Sequence, residues 1–326
     1  NPMRHEPSPD SNGETLKSGC KTRAAGAGSL QAKGVQAEQL GLAQAARRQP
    51  TARKASKLRK GIDWRKQKKL RIAHANPKEI LMDEHMQRVP DPRDAQNVDL
   101  DAINNAFHYA LYAVFRLADP LPADADARRL LIAESAECAD DAAVTTRGWY
   151  DTAGFRADAD LMVWWIDDDP ERLQDAYHRL RASALGRCLE PVWTCMGLHT
   201  PAEFNRRHVP ACLSGVAPRD WLMVYPFVRS YDWYLLKAEE RSRIMAEHGR
   251  NGFSQYPDVK GSTLATFGLS DYEWILGFEA DSLDRLEGVL HAQRYTEARL
   301  YVREDTPFFT GRRVDPVAWG ERQPRA

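Results

Sequence analysis

Nine histidines are available to do chemistry, and His248 has the most informative setting. It stands in Ala246-Glu-His-Gly-Arg250, late in a stretch with helical spacing and in register with the apolar Ile244 and Met245. A neutral imidazole held against a cavity by a rigid helix is a natural axial ligand for haem iron. A helix-terminal histidine that faces water or caps carbonyls would show the same spacing. Tyr225 lies upstream in Leu222-Met-Val-Tyr-Pro-Phe-Val-Arg-Ser-Tyr-Asp-Trp-Tyr-Leu-Leu236. Strand alternation puts Tyr225 and Phe227 on one face and Val224 on the other. Such a tyrosine is either a redox group or a half-buried strand residue with a wet hydroxyl. Arg229 follows at the strand end, where a guanidinium can meet a carboxylate bidentately. Pro226 has no N–H to give a ladder, which predicts an edge or a bulge beside it.

The other polar and aromatic groups are plainer. Trp233 and Trp274 read as core residues. His208, in Arg206-Arg-His-Val-Pro210, falls in a loop-like stretch and alone reads as a surface histidine. Cys20, Cys138, Cys188, Cys195 and Cys212 are odd in number and lack a CxxC spacing, which argues against a disulfide framework or a zinc site.

The elements that must position these groups come as an internal repeat. Leu161-Met-Val-Trp-Trp-Ile-Asp-Asp-Asp-Pro-Glu-Arg-Leu173 lies on Trp274-Ile-Leu-Gly-Phe-Glu-Ala-Asp-Ser-Leu-Asp-Arg-Leu286 at a constant offset of 113 residues. The offset pairs Asp168 with Asp281, Glu171 with Asp284 and Arg172 with Arg285. A repeat this long implies two copies of one small module rather than a solenoid. In the second copy the pattern predicts strands over Trp221–Val228, Thr263–Leu269, Tyr272–Glu279 and Thr296–Arg303, with helices over Lys237–Gln255 and Ser282–Gln293. In the first it predicts strands over Tyr109–Leu117, Val144–Tyr150, Leu161–Ile166 and Pro191–Leu198, with helices over Ala125–Ala139 and Pro170–Leu185. The order β-α-β-β-α-β, twice, is an α+β tandem of ferredoxin-like modules, spanning 99–212 and 218–312. Two such sheets could pack into a barrel-like sandwich, the dimeric α/β barrel arrangement. The module hosts many activities, so the fold alone assigns none.

The chain of 326 residues balances 46 basic against 46 acidic side chains, which argues against a polyanion-binding protein as a whole. The balance hides an asymmetry. Twelve basic residues crowd Arg47 to Arg71, opposed only by Asp63. Residues 1–95 lack a sustained apolar period and read as a disordered basic, low-complexity extension. A nucleic-acid or lipid-binding arm is the other reading of that run, but only a single aromatic residue, Trp64, interleaves it to stack on bases. No apolar run reaches membrane-span length and no apolar signal core opens the chain, so a cytoplasmic protein without membrane span or nucleic-acid partner is expected.

Taken together, the segments Tyr225-Pro-Phe-Val-Arg-Ser-Tyr-Asp-Trp-Tyr, Glu247-His-Gly-Arg, Thr266-Phe-Gly-Leu, Tyr272-Glu-Trp, Arg294-Tyr-Thr-Glu-Ala-Arg and Glu304-Asp-Thr-Pro-Phe-Phe-Thr-Gly311 resemble the actinobacterial coproheme decarboxylases of the chlorite-dismutase-like superfamily. More weakly, the resemblance covers the whole repeat; the N-terminal extension has no counterpart in it. It implies His248 as proximal iron ligand and Tyr225 as the radical-forming tyrosine that takes hydrogen from a propionate of iron-coproporphyrin III. It implies His208 as the distal base for hydrogen peroxide, Arg229 as a propionate holder and Trp233 near the porphyrin. The implied reaction converts two propionates to vinyls through a monovinyl intermediate, giving haem b, with the porphyrin as both substrate and redox cofactor. A homopentamer and transient contact with a coproporphyrin ferrochelatase are also implied.

Two rivals diverge at identifiable residues. Chlorite dismutation in relatives uses a distal arginine shortly after the proximal histidine, yet residues 251–265 contain none. Ser262 is the polar residue expected at that slot, to within about one position. A generic peroxidase needs only the histidine-ligated haem, and a haem carrier needs His248 without Tyr225.

Overall fold

The computed structural model describes residues 91–94, 97–140 and 144–326. The basic run and nearly all of the expected extension lie outside the described residues. Asp91, Arg93 and Asp94 belong to the folded body. Arg93 pairs with Asp281, and Asp94 with Lys260 and the buried Arg219.

A short helix α1 (Leu100–Asn105) is capped by Asp99, whose carboxylate accepts from the N–H groups of Asp101 and Ala102. The first half then runs β1 (Tyr109–Leu117), α2 (Ala125–Ala139), β2 (Thr145–Asp151), β3 (Leu161–Asp167), α3 (Pro170–Ala182), α4 (Ala184–Cys188) and β4 (Leu189–Leu198). Asp169 caps α3, with Pro170 at the first helical position where its missing N–H costs nothing. The helix expected over Pro170–Leu185 breaks at Ser183. That residue is extended, and its hydroxyl caps α4 by accepting from the Gly186 N–H.

The second half runs β5 (Trp221–Arg229), α5 (Ala238–Phe253), β6 (Lys260–Ala265), β7 (Trp274–Ala280), α6 (Leu283–Gln293), a 3-10 turn (Glu297–Tyr301), β8 (Val302–Glu304), β9 (Phe309–Val314) and a C-terminal α7 (Pro316–Gly320). Two expected strands move. The one placed at Thr263–Leu269 spans Lys260–Ala265, because Gly268, with φ +71°, turns the chain back just after it. Thr296–Arg303 is mostly not a strand. Ala298 and Tyr301 meet the same small core three residues apart, while Leu300 between them stays exposed. The three-residue period of a 3-10 turn thus prevails over the apparent alternation of Ala298, Leu300 and Val302. Phe309–Val314 supplies the closing strand instead.

The described strands form one sheet in the order β7-β6-β4-β1-β3-β2-β9-β5-β8, and a further β5–β7 pairing closes it on itself. The fold is therefore a closed antiparallel barrel with helices outside, rather than two separate sheets stacked face to face. Its interior holds Tyr112, Met162, Trp164, Leu222, Val224, Leu264, Ile275 and Phe309. The outer face of the first half packs Phe115, Trp165 and Leu173 beneath its helices. The outer face of the second half packs Met223, Tyr225, Phe278, Leu286 and Val289. β3 is buried on both faces and so reads as one continuous apolar run.

Candidate active site

The groups singled out on β5 and α5 meet on the outer face of the second half. β5 alternates as expected: Leu222 and Val224 enter the barrel, while Met223 and Tyr225 face outward. Tyr225 is buried, stacked on Phe308 at 4.6 Å between ring centres and edge-on to Phe278 at 6.0 Å. Among the described residues nothing hydrogen-bonds its hydroxyl. Burial pushes its pKa well above the usual phenol value, with Arg294, Arg299 and Arg229 opposing and Asp305 reinforcing the shift. The phenol is firmly protonated.

Arg229 ends β5. Its backbone N–H donates to Glu273 Oε2 at 2.8 Å, and Tyr234 Oη donates to the same oxygen at 2.8 Å. The guanidinium lies 4.2 Å from the Trp233 ring centre and 4.9 Å from that of Phe227, and it touches Met245 Sδ at 3.5 Å. Cation–π contacts of this kind stabilise a partly desolvated charge but do not neutralise it. No carboxylate pairs with it among the described residues. Burial lowers its pKa to about 10, which leaves it cationic at neutral pH.

His248 projects from α5 as the eleventh residue of a helix that runs from Ala238 and carries no side-chain N-cap. Its Nδ1 lies 3.2 Å from Thr296 Oγ1, at the start of the 3-10 turn. Burial, aided by the Arg229 charge, brings its pKa down to about 4, so the ring is neutral above that value. Arg229 thus acts on both Tyr225 and His248, and it is the common neighbour of the two. Trp233, almost fully buried in its own 3-10 turn, forms the wall beyond Arg229 with Tyr301 at 5.5 Å.

Two expected members lie elsewhere. Ser262 is fully buried inside the barrel, where its Oγ accepts the Cys212 N–H at 3.1 Å. In register it faces Gly277, whose missing side chain leaves room for Tyr112 Oη and Trp164. One residue further along β6, Thr263 pairs with Leu276, which in turn pairs with Tyr225. Thr263, not Ser262, is thus the polar side chain on the Tyr225 face; a one-residue slip along a strand inverts every side chain. His208 is exposed on the linker between the halves, in a turn closed by its own N–H to Asn205 O at 2.9 Å. Glu203 of that linker pairs with Arg241 on the first turns of α5.

Sequence reasoning missed Thr296 altogether. It also left Arg294, Arg299 and Asp305 without a role, although they fall inside two of the resembling segments. Asp305 accepts from both arginines, at 2.8 and 2.6 Å, beside Tyr225.

Among the described residues no three or more His, Cys, Asp or Glu side chains gather to hold a bare metal ion. A single neutral imidazole suits iron whose remaining equatorial ligands come from a porphyrin. An anion-free arginine beside it suits the carboxylates such a ring carries. The residues present therefore fit an iron porphyrin. No helix among the described residues is long and apolar enough to cross a membrane.

Known proteins are similar to this chain. A coproheme decarboxylase from Mycolicibacterium smegmatis is 46% identical over 222 residues, covering 67% of this chain and 94% of that protein. Chlorite dismutase from Candidatus Nitrospira defluvii in complex with imidazole superposes with a TM-score of 0.58 at 20% identity, over 66% of this chain and 94% of that one. A tryptophan variant of the same enzyme with cyanide gives 0.57 at 20% identity, over 66% and 93%. Those structural likenesses speak for the fold. The family description for chlorite dismutase matches residues 128–314, most of both halves and every group of the site, and by that match the chain belongs to the chlorite dismutase family.

Proposed function

We propose that the protein is a hydrogen peroxide-dependent coproheme decarboxylase, converting iron-coproporphyrin III to haem b through a monovinyl intermediate. The observation that carries the reading is Arg229: a cation without an anion, flanked by Trp233 and in electrostatic reach of both Tyr225 and His248. A carboxylate-bearing porphyrin is the ligand that would complete it. The 46% identity to a coproheme decarboxylase points the same way.

His248 would hold the iron and Arg229 a propionate. When bound, the iron porphyrin supplies the one-electron oxidising chemistry that peroxide drives. Each step balances as a propionic acid side chain plus hydrogen peroxide giving a vinyl group, carbon dioxide and two waters. Tyr225 is the relay. Because burial keeps its Oη protonated, the group leaves and regains hydrogen as a neutral atom's worth of charge, with no phenolate left in an apolar wall. Asp305 and its two arginines hold the nearby charge in fixed positions. We further infer that His208 serves as the base that takes a proton from peroxide, which requires the linker to bring its imidazole over the substrate.

The same reading extends to the frame. The strand order in each half is fourth-first-third-second, with a β-α-β-β-α-β sequence of elements, which supports a tandem of ferredoxin-like modules over 99–212 and 218–312. A homopentamer, a cytoplasmic location and transient contact with a coproporphyrin ferrochelatase belong to the proposal as well.

The test is mass spectrometry of the porphyrin during peroxide titration. Wild type should lose carbon dioxide and two hydrogens once and then again. Tyr225→Phe should bind the porphyrin as tightly and form neither product. Normal turnover by Tyr225→Phe would sink the assigned mechanism, and binding without turnover by wild type would make the protein a haem carrier.

A further inference from the structure

We propose that Thr296 is a positioning residue that locks His248 in the tautomer presenting a bare Nε2, so that the iron ligand is set before any porphyrin arrives. The inference rests on the reading of His248 as the ligand, and it extends that reading to a residue on a different element.

The argument is a count of hydrogens. Thr296 Oγ1 lies 2.9 Å from the backbone carbonyl of Gln293 and 3.2 Å from His248 Nδ1. A hydroxyl has one hydrogen, and a carbonyl oxygen can only accept. The Thr296 hydrogen is therefore committed to Gln293, the last residue of α6. What Oγ1 turns towards His248 is a lone pair. The hydrogen in that contact must then sit on Nδ1, and a neutral imidazole with Nδ1–H carries its lone pair on Nε2. Thr296 is only 4% exposed, so water competes poorly for either bond.

The chain of constraints is Gln293 carbonyl, Thr296 hydroxyl, His248 ring. It ties the end of α6 to the middle of α5 and restrains the ring's orientation as well as its tautomer. Its chemical character also matters. A neutral hydroxyl accepts the Nδ1 hydrogen without drawing it off, whereas a carboxylate in that place would make the ligand more basic.

The test uses the full chain, nitrogen-15 labelled at histidine, with His248→Gln identifying the signals of residue 248. In the ligand-free protein, long-range proton–nitrogen correlation should show Nδ1 protonated and Nε2 bare. Thr296→Val keeps the shape and removes the acceptor, so the Nε2–H form should become the major one; Thr296→Ser should restore the wild-type pattern. Titration with iron-coproporphyrin III should then weaken by about tenfold to a hundredfold in Thr296→Val and by much less in Thr296→Ser. A wild-type spectrum with hydrogen on Nε2 overturns the proposal without any variant, and so does a Thr296→Val spectrum identical to wild type. The failure of the broader reading looks different: His248→Gln would then bind the iron porphyrin as wild type does, whatever the tautomer.

Discussion

Arg229 shows at the scale of one residue how a site differs from a core. Its guanidinium is sandwiched by Trp233 and Phe227, and its closest polar side-chain contact is the sulfur of Met245. In a merely structural role it would have acquired a carboxylate, as Arg147 and Arg219 have. Arg229→Gln should therefore leave the melting temperature nearly unchanged. It should weaken iron-coproporphyrin III binding by about tenfold to a hundredfold, as expected for one hydrogen bond to a charged group. Fluorescence quenching on titration measures this, and equal affinity would remove Arg229 from the site. Ser262 and Thr263 make the contrasting pair. Ser262→Ala loses one acceptor for the Cys212 N–H inside the barrel and should cost about 1 kcal/mol of stability with turnover intact. Thr263→Ala should change turnover with little effect on stability. Porphyrin mass spectrometry and thermal melts separate the two, and the reverse pattern would restore Ser262 to the site. That His248, Tyr225, Arg229 and Trp233 lie near one another was legible because their segments are continuous and their spacing survives in the sequence; their roles belong to the proposal. The Ser262 placement failed because parity along a strand turns on a single residue. Thr296 was invisible for another reason: its partner lies 48 positions away, on a different helix.

Elements were legible where the pattern was unambiguous, as in the apolar run of β1 and the helical spacing of α6 with its buried Leu286 and Val289, and not where a short segment fits two periods. Thr296–Arg303 looks like a strand to the eye and packs as a 3-10 turn because only Ala298 and Tyr301 find a core. The C-terminal α7 was not foreseen at all, since five residues carry too little period to read. Yet it is anchored firmly. Trp319 is fully buried, and just past the helix Glu321 accepts from Arg128 at 2.6 Å and Arg129 at 2.9 Å on α2. Arg128 is itself buried, with backbone carbonyls as its other partners. The hydrogen bonds from Arg128 and then Arg129 hold the Glu321 carboxyl below its ordinary value. A carboxyl depressed in the folded state stabilises it above the unfolded pKa, and that contribution is lost as pH falls through the folded value. Glu321→Gln should thus melt below wild type at neutral pH, and the two should converge as pH drops below about 4. A constant gap across the series would mean that the side chain matters by packing rather than charge.

The sheet of the described residues is a ring, and rings depend on their seams. β4 and β6 meet through one registered pair, Leu198 with Ala265, whereas β2 and β9 share three. Gly197 lets the halves close at the weaker seam: a side-chain carbon there would come within 2.7 Å of Leu264 and 2.8 Å of Ile275, both from the second half. Inside the barrel a second device joins the halves. Arg147 of β2 donates twice to Glu279 of β7, at 2.9 and 2.6 Å, with both side chains nearly inaccessible to water. Glu279 Oε1 also accepts the Arg219 N–H at 3.3 Å, and Arg219 in turn reaches Asp94. Desolvating two charges offsets most of their attraction, so the pair is a register lock more than a source of stability. That distinction has a measurable consequence. Glu279→Gln leaves a buried cation uncompensated and should cost about 3–5 kcal/mol, on the order of 10 °C in melting temperature. Arg147→Met combined with Glu279→Leu removes both charges and should recover most of that loss. If the double variant is as unstable as the single one, Glu279 is held by Arg219 as much as by Arg147. The lock would then be a three-member network reaching from the barrel interior to Asp94.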